Sequence, residues 1–254
     1  MRVLLPPPVS DVDVDVHAFY AADWCDTGGL RVNFVASADG AVTADGTSRG
    51  LQTPGDNRIF AALRDLADVV LAGAGTVRTE GYQAITLSAR RRAIRTRYGL
   101  AGTLPTAVVS RSLRLNPSAD LFAAAAPEAR TIVLTCAAGD RGVRAELERV
   151  ADVVVCGDES VDLTAAKAAL VDRGLTRILC EGGPTLFADL ARTGVADELC
   201  LSVSPLLSGP GARRIVAGEL WPDAPRRLTL AGLLEEDDAL FCRYRVRRAA
   251  DPGQ

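Results

Sequence analysis

Four segments of the sequence combine residue types and spacings that could hold an anionic ligand and act on it. In Cys180-Glu181-Gly182-Gly183-Pro184-Thr185-Leu186-Phe187, two glycines precede a proline and a threonine. Glycine lets backbone come close to a ligand, and proline is tolerated in a helix's first turn because its missing N–H is not needed there. The free N–H groups and the helix dipole then favour an anion, with the Thr185 hydroxyl as a further donor. A plain strand-to-helix turn would read the same way. The second segment, Gly73-Ala74-Gly75-Thr76-Val77-Arg78-Thr79-Glu80-Gly81-Tyr82, lacks the dinucleotide spacing G-x-G-x-x-G. No acidic residue ends a second strand about twenty positions on. It can still form a phosphate-cradling turn capped by Thr76, with Glu80 reaching the pocket, or simply a tight turn after a buried strand.

The third segment, Asn33-Phe34-Val35-Ala36-Ser37-Ala38-Asp39-Gly40, reads as a strand running into an Asp-Gly turn, ordinarily a hairpin signal. The small polar stretch after it, residues 44–50, suits a loop that faces substrate. The fourth, Thr53-Pro54-Gly55-Asp56, opens a helix that carries Arg64 eight residues on, on roughly the same face. A carboxylate in the first turn usually serves as a cap or dipole partner, and such an arginine usually forms a surface salt bridge.

Composition narrows the chemistry. His17 is the only histidine of the 254 residues, and it lies in an aspartate-rich lead-in. Triads, histidine zinc sites and Cys-His pairs all need a histidine in the catalytic body. The six cysteines (Cys25, Cys136, Cys156, Cys180, Cys200, Cys242) form no C-x-x-C pair, so no metal site is expected. Hydride transfer from a nicotinamide, which asks little of the protein's own groups, fits this inventory. A net charge of −3 gives no basic footprint for nucleic acid and no polybasic patch for a membrane. The opening MRVLLPPPVS is too short and proline-broken for a signal peptide, and no window approaches a membrane span. A reduced, cytoplasmic protein is expected.

These segments must be positioned by an α/β scaffold. Short β-rich apolar runs at 30–37, 68–73, 105–110, 131–136, 152–156 and 177–183 alternate with helical patterns at 53–67, 140–150, 162–173 and 184–193. The alternation predicts a mainly parallel sheet flanked by helices. The last third adds strands at 197–207, 227–236 and 239–248, the final two as an antiparallel hairpin turning at Glu235–Asp238. Residues 1–29, with a short helix near His17–Trp24, read as a lead-in packed on the surface, 30–248 as one domain and 249–254 as a tail. Segment 84–102 reads as a loop or helix over one rim, its five arginines a solvated face. The loop 208–214 could face substrate or a partner subunit.

In this order, NFVASADG, DNRIFAALRDLADVVLAGAGTVRTEGY and CEGGPTLF resemble the pyrimidine reductase family of riboflavin synthesis, over about residues 30–248. That family forms the reductase half of bifunctional deaminase–reductases and also stand-alone proteins. The resemblance implies a dihydrofolate-reductase-like fold, NADPH, a homodimer, and reduction of a phosphorylated ribosylaminopyrimidine. Carried over by position, it places the backbone near Ala36 and Ser37, together with Gly75, Thr76 and Gly182, Gly183, Pro184, Thr185 and Leu186, against the cofactor. It gives Ser110 and Arg111 the 2′-phosphate. Asn33, Asp39, Ser48, Arg64 and Glu181 would face substrate, with Arg64 toward its phosphate.

Several departures stand out. The chain has no H-x-E and no P-C-x-x-C zinc signature, so the bifunctional enzyme is not expected. Gly50 stands where pathway enzymes tend to carry a bulky aromatic, and Glu80 where many have aspartate. Asp56 stands where dihydrofolate reductases place the single carboxylate that reads and helps to protonate the pterin. Asp56 and Glu80 are therefore the candidate catalytic carboxylates, with hydride transfer to a C=N bond and a proton from Asp56 or a water it orients. A dihydrofolate-reductase-like activity on a pterin is one alternative. A non-catalytic NADPH-binding homologue is another.

Overall fold

The fold was examined in a computed structural model that describes residues 1–6, 13–44, 46–218 and 225–247; the expected tail at 249–254 lies outside these. Alternation between apolar runs and amphipathic helices produces ten strands and nine α-helices among the described residues. The strands are β1 (Arg2–Leu5), β2 (Gly29–Ser37), β3 (Val69–Gly73), β4 (Thr106–Val109), β5 (Ile132–Thr135), β6 (Asp152–Val155), β7 (Arg177–Cys180), β8 (Glu198–Ser204), β9 (Leu228–Glu236) and β10 (Ala239–Val246). The helices are α1 (Val16–Ala21), α2 (Trp24–Thr27), α3 (Pro54–Leu66), α4 (Ala74–Glu80), α5 (Ala89–Arg97), α6 (Asp120–Ala123), α7 (Arg141–Glu148), α8 (Leu163–Val171) and α9 (Pro184–Arg192).

One sheet holds all ten strands in the order β1-β9-β10-β8-β2-β7-β3-β4-β5-β6. The seven from β8 to β6 run parallel, and β10, β9 and β1 join antiparallel. The mainly parallel sheet with an antiparallel C-terminal hairpin is thus as expected. The hairpin is tighter than the sequence suggested: Glu236 pairs with Ala239, and only Asp237 and Asp238 turn, both at positive φ (50° and 64°). That is the backbone a two-residue turn needs to match the strand twist, and aspartate tolerates it.

Alternate residues of each central strand feed opposite cores. Val69, Leu71, Ala107, Ile132 and Leu134 pack against Leu170 of α8 and Leu186, Phe187 and Leu190 of α9. On the other face Val70 meets Ile59, Leu63 and Leu66 of α3, while Ala72, Val108 and Val133 meet Val77 of α4 and Leu147 of α7.

Two expectations are corrected here. The lead-in is built into the fold, not laid on its surface. β1 extends the sheet beside β9, and Tyr20 and Trp24 are buried in the α3-side core. A buried charge cluster fixes this segment. Glu198 accepts from Arg31 and, at 2.7 Å, from Arg243, and the two arginines donate to the carbonyls of Tyr20, Phe19 and Ala22 at the end of α1. Charge patterning in the sequence does not show this, because the partners lie on β2, β8 and β10, far apart in the chain.

The second correction concerns the arginines of 84–102. Arg95 of α5 is fully buried. It donates to five carbonyls, those of Arg64, Asp65 and Ala67 at the end of α3 and those of Ala101 and Thr103. Helix C-termini leave carbonyls without intrahelical partners and favour a cation, so Arg95 caps α3 from a neighbouring element. Burial draws its pKa down to about 10, which still leaves it charged near neutrality. Arg95→Met should strand several buried carbonyls and lower stability by about 3 kcal/mol or more. Urea unfolding would measure this, and a loss under about 1 kcal/mol would refute the capping role.

Candidate active site

The parallel strands deliver their C-terminal ends to one rim, and the chain reverses its direction of travel across the sheet there. β3 lies two places from β2 because β7, formed later, is inserted between them. Such switch points open a crevice for ligands in open α/β sheets. Here the crevice is a cavity of about 740 Å³.

Its first wall is made by two strand-to-helix turns. After β7, Gly183 is the N-cap of α9 and Pro184 its first residue; no side chain caps the free N–H groups. After β3, Gly73 caps α4, also without a side chain. The turns touch: Gly73 N–H donates to Gly182 O at 2.8 Å, and Glu181 N–H to Leu71 O at 2.9 Å. A Cβ on Gly183 would lie 2.5 Å from the Thr76 hydroxyl, and one on Gly182, at φ +89°, would lie 2.8 Å from the Phe34 ring. Gly75 faces open space. Gly75, Thr76, Gly183, Pro184, Thr185 and Leu186 all line the cavity, so the backbone donors of α9 and two small hydroxyl residues face one space. That donor set suits a pyrophosphate.

The opposite wall carries charge. Thr53 caps α3, its hydroxyl accepting from Asp56 N–H at 3.1 Å, which orients the first turn with Asp56 on the inner face. Asp56 is 4% exposed. Burial holds its carboxyl above the ordinary range, only partly opposed by a hydrogen bond with Ser202 of β8. Asn33 of β2 is buried as well, and its Oδ1 has no hydrogen-bond partner among the described residues. Arg64, two turns after Asp56, meets Glu181 in a bidentate pair (Nε–Oε1 2.6 Å, Nη2–Oε2 2.8 Å), and the Tyr82 hydroxyl donates to the same carboxylate at 2.6 Å. The Phe60 ring lies 4.4 Å under the guanidinium. Burial works against the Arg64 cation, but Glu181 overcomes it and holds the group above its usual value. Burial and then the Glu181 charge push the Tyr82 hydroxyl well up.

Asn33, Ser48, Asp56, Arg64, Glu80 and Glu181 therefore reach one cavity, Glu80 half-exposed at the end of α4. Arg64 is engaged by Glu181 where the sequence suggested that it stands free for a phosphate. Other candidates sit elsewhere. Ser37 donates to Asp39 and accepts from Ala41 N–H, while Asp39 also accepts from Ser208 and Gly209 N–H at 3.1 and 2.8 Å. These two side chains brace the loop 208–214 rather than lining the cavity, as do neither Ala36, Gly182, Ser110 nor Arg111. Ser110 is buried with an unpartnered hydroxyl. The braced loop turns Arg213 toward the cavity, where Arg49 and Arg91 also lie. Sequence inspection missed Arg91 and Tyr82; only the helical spacing from Ser88 marks Arg91 among its neighbours. Gly50 packs so closely on Ala44, whose Cβ is 2.7 Å from where its own would be, that the aromatic found elsewhere would not fit. A second cavity, of about 810 Å³, lies at the N-terminal ends of β2 and β8 and contains none of the candidate residues.

A donor-lined turn pair facing a buried carboxyl across a crevice defines an oxidoreductase-type site on a dihydrofolate-reductase-like α/β fold. The chain belongs to the RibD C-terminal domain family, which matches residues 29–239. It is 30% identical over 179 residues to the 2,5-diamino-6-ribosylamino-4(3H)-pyrimidinone 5′-phosphate reductase of Archaeoglobus fulgidus, covering 70% of this chain and 80% of that one. It is 29% identical over 190 residues to the enzyme of the same name from Methanothermobacter thermautotrophicus, covering 74% and 83%. Among solved structures, a pyrimidine reductase-like protein from Corynebacterium diphtheriae superposes with a TM-score of 0.82 at 27% identity, over 92% of this chain and all of that one. The protein is an oxidoreductase of the riboflavin-pathway reductase type, a class that uses a nicotinamide cofactor.

The raised Asp56 carboxyl makes a signed prediction. At low pH it is protonated in both folded and unfolded chains. Once pH passes the unfolded value near 3.8, only the unfolded chain ionises readily, and this group costs stability up to and beyond its folded value. Asp56→Asn should therefore be more stable than the parent at pH 7. The gain should vanish below about pH 4. Urea unfolding at both pH values checks this, and equal or lower stability at pH 7 would show that burial does not act on Asp56 in this way.

Proposed function

We propose that this chain is an NADPH-dependent reductase of a ribosylaminopyrimidine 5′-phosphate, working as a cytoplasmic homodimer. The observation that carries the reading is the shared cavity, with uncapped backbone donors on one wall and Asp56, Asn33 and the Arg64–Glu181 pair on the other. The residues fit the cofactor. Gly183 and Gly75 leave room for a pyrophosphate, and Thr76 and Thr185 add hydroxyl donors; Ser110 and Arg111, which the family resemblance assigns to the 2′-phosphate, lie outside this cavity. When bound, NADPH supplies a hydride to the C=N bond of the opened ribosyl imine.

The chain's own residues do the rest. Asp56, its carboxyl raised by burial, delivers the proton, directly or through a water it orients. Asn33 Oδ1 accepts from an N–H of the pyrimidine edge. Glu181 and Tyr82, tied to Arg64, fix the far side of the ring, while Ser48 and Glu80 close the mouth. Asp39 acts at one remove, by bracing the loop that carries Arg213.

Six free cysteines, five of them buried, support a reducing compartment, and no helix among the described residues is long and apolar enough to cross a membrane. The dimer reading is supported by the face of β9 and β10 that points away from α3. It presents Leu228, Leu230 and Leu240 at 42%, 39% and 38% exposure on neighbouring strands, an apolar face of the kind that closed symmetric pairs cover.

A second reading has one specific observation behind it. The buried Asp56 in the first turn of α3 could read the same 2-amino-4-oxopyrimidine edge in a pterin. NADPH oxidation should be measured with the diaminopyrimidinone phosphate, its deaminated counterpart and dihydrofolate. Turnover of either pyrimidine at least 100-fold above dihydrofolate is expected. The reverse order would establish the pterin reading, and tight NADPH binding with no turnover would leave a cofactor-binding protein only. Asp56→Asn should lower kcat by about 100-fold or more; unchanged kcat would remove it from proton delivery. Sedimentation should give a dimer for the parent and a monomer for Leu230→Asp, and a monomeric parent would reject the dimer.

A further inference from the structure

The Arg64–Glu181 pair leaves a phosphorylated substrate in need of another cation, and the structure offers a prepared one. Arg91, on the first turn of α5, lines the cavity. Its Nε donates to Asp65 Oδ1 at 2.5 Å, while its Nη2 is closed off from solvent and finds no acceptor among the described residues. A buried guanidinium N–H without a partner is costly and calls for an explanation. The geometry around it supplies one. An arginine fork ordinarily takes both oxygens of a carboxylate, and Asp65 would be the natural second acceptor. Its Oδ2, however, is engaged at 3.2 Å by His17 Nε2. Asp65 is 3% exposed on α3, so it cannot swing out to serve both. The lone histidine of the chain, on α1, thus shares Asp65 with Arg91, each donating to a different oxygen, and Arg91 Nη2 makes no bond among the described residues. Burial alone would raise the Asp65 carboxyl, but the bonds from His17 and Arg91 bring it below its ordinary value.

We propose that Arg91 anchors a phosphate oxygen of the ligand through its guanidinium, and that His17, twelve residues before the family match begins at residue 29, is a positioning residue that holds Asp65 and, through it, Arg91 in place. The inference rests on the cavity's being the site of a phosphorylated substrate. Two cavity arginines could share the task, but Arg49 and Arg213 are exposed and held by no carboxylate among the described residues. Arg91 alone is fixed in advance, which lowers the cost of ordering it on binding. The lead-in therefore does more than complete the sheet: through two hydrogen bonds it sets the charge available inside the cavity.

The phosphate could belong to the pyrimidine or to NADPH, and kinetics separates the two. Arg91→Met should raise KM for the pyrimidine phosphate by about 10-fold to 100-fold with kcat within about 3-fold, and should leave the Kd for NADPH unchanged. Arg91→Lys, which keeps the charge, should recover part of the loss. His17→Ala should raise KM several-fold, His17→Gln, which keeps a donor for Asp65, should restore it, and His17→Ala should add nothing in the Arg91→Met background. An unchanged KM in Arg91→Met would overturn the anchor, and a shift in the NADPH Kd instead would assign it to the cofactor and overturn the substrate role. If His17→Ala raises KM equally with and without Arg91, the two act separately and the positioning role fails. Inorganic phosphate gives a readout independent of turnover: it should raise the Tm of the parent clearly more than that of Arg91→Met, in which only the backbone donors remain, and an equal rise would overturn the anchor. Should the parent fail to reduce either pyrimidine, the proposed function falls, while the phosphate shift still decides whether Arg91 holds an anion.

Discussion

The site depends on two strand-to-helix turns that meet with no side chain between them. Gly73 N–H reaches Gly182 O, and Gly183 lies so close to Thr76 that a single methyl group would collide with the hydroxyl. This contact joins β3 to β7 at their C-terminal ends and brings the starts of α4 and α9 to one cavity. Glycine is required at 182 and 183 by that proximity, and at 182 also by a positive φ. Backbone donors that would otherwise be hidden behind a side chain are thereby left facing a ligand.

Charge is distributed around this junction so that few buried ions stand alone. Glu181 leaves the same turn that forms the cradle, and it is met at once by Arg64 and Tyr82. Arg95 closes the end of α3, and Glu198 gathers Arg31 and Arg243 beneath α1. An isolated buried charge is prohibitive, so each is compensated by a partner or by backbone carbonyls. Two groups at the cavity are less well compensated. Burial raises the Asp56 carboxyl, and Arg91 keeps one nitrogen without an acceptor among the described residues.

Much of this was legible in advance. The β-rich runs from 30–37 to 177–183 became β2 to β7 with boundaries off by at most three residues, because a strand buried on both faces and a helix with one apolar stripe leave different periods in the chain. The Thr53-Pro54 start of α3 and the Gly183-Pro184 start of α9 were equally plain, since capping is local chemistry. The lead-in and the arginines of α5 were misread for the opposite reason. Nothing near Tyr20, Trp24 or Arg95 in the chain reveals that β8, β10 or the end of α3 will lie against them.

The sequence by itself therefore determined the elements, their order and the residue types available to a nicotinamide-dependent reductase. It settled these because propensity, capping and periodicity act over a few neighbouring residues. Only the tertiary structure decided what each charged group would face. Arg64 pairs with a residue 117 positions away, Asp39 braces a loop 169 positions on, and His17 on α1 governs Arg91 through Asp65. Hydrogen bonding and desolvation depend on which atoms are brought within about 3 Å, and β7's insertion between β2 and β3, which no local stretch encodes, fixes that at the centre of the site.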